Sequence, residues 1–217
     1  MDLPPLPEAT EVCKRLWQQI VAANVSKYIQ NEINDEPESL PERFVFVALQ
    51  VASDRTQDMA RFTMDAMLDI VVTQFRGTDT AVVVKPHPKS YDLDHLGRLM
   101  ALAEAGDIVL RFDGIHHLIS RAQAVITINS GVGSETLLHR KPIYCFGAAD
   151  YDVAAHRITS ADQFAALTTP IRPALGDDDL TRFNAYYRTR YLVERDVPGR
   201  LDQAIQQRVI DPALAAR

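Results

Sequence analysis

The feature that most constrains this chain is a series of short β-branched runs, each followed by a stretch of helical periodicity. The runs fall at residues 44–49, 81–84, 107–110, 124–128 and 142–145. They are apolar at consecutive positions, as FVFVAL and AVVV illustrate, which suits strands covered on both faces of a parallel sheet. Residues 58–75 carry Met59, Phe62, Ala66, Met67, Ile70 and Val71 at helical spacing. Further helices are expected at 91–104, at 113–121, which Asp113 is placed to cap, and at 133–139. Beyond Ser160 the signal is helical only, at 160–168, 178–194 and 199–210. Short strands alternating with helices predict an α/β fold, a Rossmann-like, doubly wound parallel sheet with additional C-terminal helices.

Upstream of the first strand, Val12, Leu16, Ile20 and Val21 form one apolar helical stripe. The polar stretch NEINDEPESLPER then separates a helical appendage, residues 1–43, from a main domain at 44–217 whose closing helices begin near 160. The late aromatics Phe183, Tyr186, Tyr187 and Tyr191 sit at helical spacing and are expected to pack against the sheet domain. With 47% hydrophobic residues the chain can bury a core, so disorder is excluded. The formal charge of −6 argues against a general nucleic-acid binder, yet leaves room for a small anion pocket. Cys13 and Cys145 show no metal-like spacing, which fits a reducing compartment. The first residues lack the basic start and apolar run of a signal peptide, and no apolar stretch reaches the roughly 18 residues of a membrane span. The expectation is a cytoplasmic protein with no integral membrane segment, peripheral association with the inner membrane remaining open.

In open parallel sheets, ligands bind beyond the carboxyl ends of the strands, and there this sequence is informative. After the first strand comes a polar loop with Gln50, Asp54, Thr56 and Gln57; it is either a ligand loop or a plain connection whose Asp54 or Thr56 caps the next helix. The second strand ends in Lys85-Pro86-His87-Pro88-Lys89. Its prolines hold their neighbours extended and present an imidazole on a stiff frame between two lysines, suited to hydrogen-bonding a phosphate. The fourth ends in Asn129-Ser130-Gly131, followed by Gly133 and Glu135. Glycines permit close backbone approach, and N–H groups at a helix start attract anions. Glu135 can accept from a ribose or sugar diol, or merely complement the helix dipole. The spacing is neither the dinucleotide fingerprint nor a P-loop. After the fifth strand, Gly147 allows a tight turn, and Tyr151 either closes over a ring or belongs to a structural loop. The pair His116-His117 has no third ligand at matching spacing and reads as surface or capping residues.

Four of these strand ends, in order, resemble the capsule polysaccharide biosynthesis family, which includes bacterial Kdo transferases of capsule assembly. The residues that carry the likeness are Leu49-Gln50 with Asp54 and Gln57; Lys85-Pro86-His87-Pro88; Asn129-Ser130 with Gly133 and Glu135; and Lys141-Pro142 with Gly147 through Tyr151. Ser26-Lys27-Tyr28 extends it weakly upstream. The resemblance implies the donor-binding half of a GT-B-like glycosyltransferase, with CMP-Kdo as the expected donor and a glycan or glycolipid as acceptor. It implies phosphate contacts from Lys85, His87, Asn129, Ser130, Gly131 and Gly133, nucleotide or ribose contacts from Glu135 and Tyr151, and further donor-site candidates in Gln50 and Gln57. Gly131 stands where the family often has a small hydroxyl residue, which puts one phosphate contact in doubt. Only about 43 residues precede the first strand, too few for the acceptor domain of full-length relatives, so a partner domain or subunit is expected. Asp54 is a weak candidate base.

No cofactor or metal is expected, because the electrostatic transfer that the resemblance implies needs none. Two readings from other classes stay open. One is a nucleotide-sugar binding module without catalysis of its own. The other is a sugar-nucleotide hydrolase or epimerase using the same phosphate pocket.

Overall fold

The computed structural model describes residues 2–28, 40–51, 60–90, 92–192 and 203–204. Six parallel strands form one sheet: β1 (Phe44–Ala48), β2 (Ala81–Lys85), β3 (Val109–Leu110), β4 (Ala124–Thr127), β5 (Ile143–Cys145) and β6 (His156–Arg157), in the order β3-β2-β1-β4-β5-β6. Between and after them run α2 (Met64–Phe75), α3 (Leu93–Glu104), α4 (Ile115–Arg121), α5 (Gly131–His139), α6 (Ala161–Leu167) and α7 (Asp177–Tyr186), with α1 (Leu6–Leu16) upstream. The expected α/β doubly wound fold is present. β6 had no sequence signal, because its two residues are polar and join the sheet only by pairing with Tyr144 and Cys145.

All five residues of β1 are buried, as its unbroken apolar run predicts, and the pleat divides them between two faces. Val45 and Val47 join Val82, Val84 and Ile126 under α2 and α6, where Met67, Leu68, Val71 and Phe164 cover them. Phe44, Phe46 and Ala48 join Val83 and Val125 under Ile115, Leu118 and Ile119 of α4. A third cluster sets Leu137 of α5 and Cys145 of β5 against Leu180, Phe183 and Tyr187. The late aromatics expected to pack on the sheet domain thus include two that do.

Local sequence sets the helix starts. Thr63, Asp92, Ser130 and Ser160 each accept a backbone N–H from their own first turn. Asp113 does not cap α4 as expected; Gly114 holds that position, and the Asp113 carboxylate pairs with Arg111 instead. The N-terminal helix lies along α7, where Cys13 Sγ donates to the Thr181 carbonyl and Arg182 Nε to the Pro4 carbonyl.

Two close fits fix the helix after β4. Tyr151 is 1% exposed, and its hydroxyl donates to the Ser130 carbonyl at 2.5 Å. A Cβ at Gly133 would lie 2.2 Å from that hydroxyl, so only glycine lets the ring seat there. α4 and α5 are joined by imidazoles: His116 Nδ1 and His139 Nε2 stand 2.9 Å apart. His116 is 4% exposed, which corrects its reading as a surface or capping residue; with Leu118 and Ile119 it turns inward.

Gly133→Ala should therefore destabilise by about 1–3 kcal/mol, the usual cost of overpacking, read from the urea midpoint. Gly131→Ala, with nothing within 4 Å of the added carbon, should shift it by less than about 0.5 kcal/mol. Burial, reinforced by His116 and Lys141, pulls His139 down from its ordinary 6.5 to about 4. The unfolded chain then binds the proton first, so stability is complete above about pH 6.5 and falls as pH drops toward 4. His139→Gln should flatten that decline by about 1–2 kcal/mol, screening at a partly open group being allowed for.

Candidate functional site

The sheet order reverses between β1 and β4, the switch point at which a crevice opens beyond the strand ends. A cavity of about 360 Å³ lies there. Its walls are the tips of β1 and β2, the turn from β4 into α5, the connection before α4, and residues 26–28 of the N-terminal segment. His87 and the start of α5 thus border one space, as the strand-end reading requires.

The two central tips are tied together. Thr127 Oγ1 donates to the Ala48 carbonyl. Gln50, 5% exposed, donates from Nε2 to Asn129 Oδ1 at 3.0 Å, while its Oε1 accepts from the Asn129 backbone N–H at 3.0 Å. Both residues border the cavity, and each braces the other. Ser130 caps α5, accepting from the Val132 N–H. Gly131 follows with open space around it.

The His87 turn is equally constrained. Its Nδ1 accepts from the Lys89 N–H at 3.0 Å, so in the neutral ring the proton sits on Nε2. Tyr28 packs edge-on against this imidazole with centroids 4.9 Å apart, and the Lys89 ammonium lies 5.2 Å from the Tyr28 ring. Lys85 donates from Nζ to the Asp113 carbonyl. Arg111 fixes that residue through two charged bonds, at 2.8 and 3.0 Å, and its guanidinium holds the Asp113 carboxyl below the usual range. Burial lowers the Lys85 pKa, opposed by the charges of Asp113 and Glu135.

Glu135 borders the same cavity. Burial raises its carboxyl, opposed by the Ser26 hydroxyl, His116, Arg188 and Lys85. Ser26 Oγ donates to Oε1 at 2.9 Å, and His116 Nε2 stands 3.7 Å from Oε2. Oε2 is buried and makes no hydrogen bond among the described residues. The carboxylate is more than a partner for the helix dipole: it meets the N-terminal segment through Ser26 and α4 through His116.

Two expectations need correction. Tyr151 does not reach the cavity; it is a buried packing residue beneath α5. Gly133 does not border the cavity either; its missing side chain makes room for Tyr151, not for a ligand. Asp54 and Gln57 lie outside the described residues. Sequence reasoning missed Arg111, His116 and Arg188, whose roles come from contacts between segments distant in the chain. The doublet His116-His117 is the one signal near them, and its spacing says nothing of the facing His139. Among the described residues no cluster of three or more His, Cys, Asp or Glu is placed to hold a metal, and no helix is long and apolar enough to cross a membrane.

Several solved structures share this architecture. KpsC of Thermosulfurimonas dismutans, described as a β-Kdo 2,7 transferase, is similar with 20% identity and a TM-score of 0.52, over 83% of this chain and 52% of that one. The KpsC β-Kdo 2,4 transferase of the same organism gives 18% identity and a TM-score of 0.51, over 80% and 62%. The UDP-GlcNAc 2-epimerase of Methanocaldococcus jannaschii follows at 12% identity and a TM-score of 0.48, over 69% and 46%. The present chain thus spans 52–62% of the two transferase chains. At such identities the likeness concerns the fold, a Rossmann-like half of a GT-B-like architecture. Among curated proteins none matches this sequence. A profile of the family described as capsule polysaccharide biosynthesis protein matches residues 7–174, most of the chain. On that match, the chain belongs to the capsule polysaccharide biosynthesis protein family.

Proposed function

We propose that the cavity binds the nucleotide-activated donor of a glycosyl transfer in capsular or surface polysaccharide synthesis, a CMP-Kdo-like sugar. The observation that carries this reading is the fixed His87 ring. Proline frames it on both sides, its Nδ1 is committed to the Lys89 N–H, and it borders the same space as Lys85 and the start of α5. A phosphate in that space meets an imidazole N–H, an ammonium and the positive end of a helix dipole.

In this reading the chain's own groups act electrostatically. As the bond between anomeric carbon and phosphate oxygen breaks, negative charge grows on the departing nucleotide. His87 and Lys85 stabilise that charge without moving during the step. Asn129, braced by Gln50, and the Ser130–Gly131 backbone orient the phosphate. Glu135 and Ser26 border the position of a ribose. The acceptor, a glycan or glycolipid, approaches from the open side of the crevice, where a partner domain or subunit would complete the site. A binding module acting only with such a partner is the second reading.

Calorimetry with CMP, UDP and GDP tests the proposal: CMP should bind and the other two should not. His87→Ala should weaken CMP by about 1–3 kcal/mol, the range for a lost charge-assisted hydrogen bond, whereas His117→Ala should leave it unchanged. Absence of any nucleotide binding would overturn the reading. Release of CMP from CMP-Kdo in the presence of a glycolipid acceptor would separate an enzyme from a module.

A further inference from the structure

The N-terminal helix ends in a way that aims the chain at the cavity. Past α1, a π-helical stretch covers residues 17–22 and stops at Asn24, whose φ of 52° is left-handed. The Asn24 N–H bonds to the Val21 carbonyl and the Val25 N–H to the Ile20 carbonyl, the paired bonds of a Schellman stop, with asparagine at the one position that tolerates this φ. Residues 25–28 then run over α4 and α5 and put Ser26, Lys27 and Tyr28 on the cavity wall.

The Val25 side chain adds little to holding this strap, since it is 53% exposed. The Tyr28–His87 ring contact holds one end, and polar contacts hold the rest. His116 Nε2 is 2.8 Å from the Val25 carbonyl. A carbonyl only accepts, so that nitrogen carries a proton. In the neutral ring, Nδ1 is then an acceptor, and His139 Nε2 donates to it across 2.9 Å. The carboxylate of Glu135 lies 3.7 Å from His116 Nε2. The groups facing the pair are Glu135 and Ser26 on the cavity side and Lys141 behind His139.

We propose that His116 is a positioning residue, clamping the strap of residues 25–28 as a wall of the ligand site, with His139 behind it fixing the ring's orientation. It acts through the strap and touches no ligand. The role as a wall rests on the cavity being the ligand site, whereas the clamping of the strap does not.

Lys27-Tyr28 supplies a ligand-independent readout, the rate at which endoproteinase Lys-C cuts after Lys27, identified by fragment mass. A docked strap is cut in proportion to the fraction of time it is released. His116→Leu keeps bulk but removes the donor; His116→Gln keeps a donor for Val25 and an acceptor for His139. Cleavage after Lys27 should rise about tenfold in His116→Leu, the factor for one hydrogen bond, and CMP affinity should fall about as much. In His116→Gln both should stay within about threefold of wild type. Ser26→Ala reads the strap without entering the buried pair, so the test survives if His116→Leu does not fold; it should likewise speed the cut after Lys27. Unchanged cleavage in Ser26→Ala, or equal damage in the leucine and glutamine variants, would overturn the proposal. Faster cleavage in a protein whose wild type binds no CMP would leave the clamp standing and remove the nucleotide reading instead.

Discussion

The parallel pairing of β1 with β4 is the constraint on which the rest of this structure depends. Phe46 lies opposite Val125 on one side and Val83 on the other, so β1 is the pivot from which the chain winds both ways. Helices following strands on either side of such a pivot lie on opposite faces, and their separation leaves the crevice. Because the tips of β1 and β4 carry exposed backbone groups at the floor of that crevice, they need partners. Thr127 and the reciprocal amide pair of Gln50 and Asn129 supply them. The crevice thereby has a rigid floor on which a polar ligand can be oriented.

Electrostatics within the crevice run against the protein as a whole. The chain carries −6, yet lysines 27 and 85 and His87 line a cavity with one carboxylate, Glu135. Burial presses Lys85 and Glu135 each toward its neutral form, while the charge of each opposes that in the other. Arg188 stands behind Glu135, its own pKa lowered by burial, and donates to the Ser134 carbonyl at 2.6 Å. Two lysines facing a single carboxylate give the crevice a local charge balance that the net charge of the chain does not foretell.

What the sequence made legible was whatever local pattern controls. β1, β2 and β4 are written in β-branched runs, their helices in apolar periodicity, and Ser130 announces α5. The polar groups of Lys85, His87 and Asn129 were placed by one topological rule, that ligands gather at strand ends, so they were readable before any contact was known. Tyr151 shows the limit. A tyrosine in a strand-end loop can point into a crevice or under a helix, and the choice here is made by the missing Cβ of Gly133, 18 residues upstream, which no local pattern signals. β6 was illegible for a related reason: two polar residues become a strand only because β5 offers an unpaired edge.

His116 extends the same lesson to the N-terminal segment. Its neighbours in sequence say only that a short helix is present, and its doublet suggests nothing beyond exposed or capping residues. Its actual partners are His139, 23 residues on, and the Val25 carbonyl, 91 residues back. Such a contact links folding of the sheet domain to the position of the chain upstream. α4 and α5 must be packed before the imidazole pair exists, and the pair must exist before residues 25–28 have a donor to rest on. α1, held along α7 by Cys13 and Arg182, delivers the strap from the far end of the domain. One cavity wall therefore depends on the packing of α4 with α5 and of α1 with α7, so substitutions distant from the site can change it.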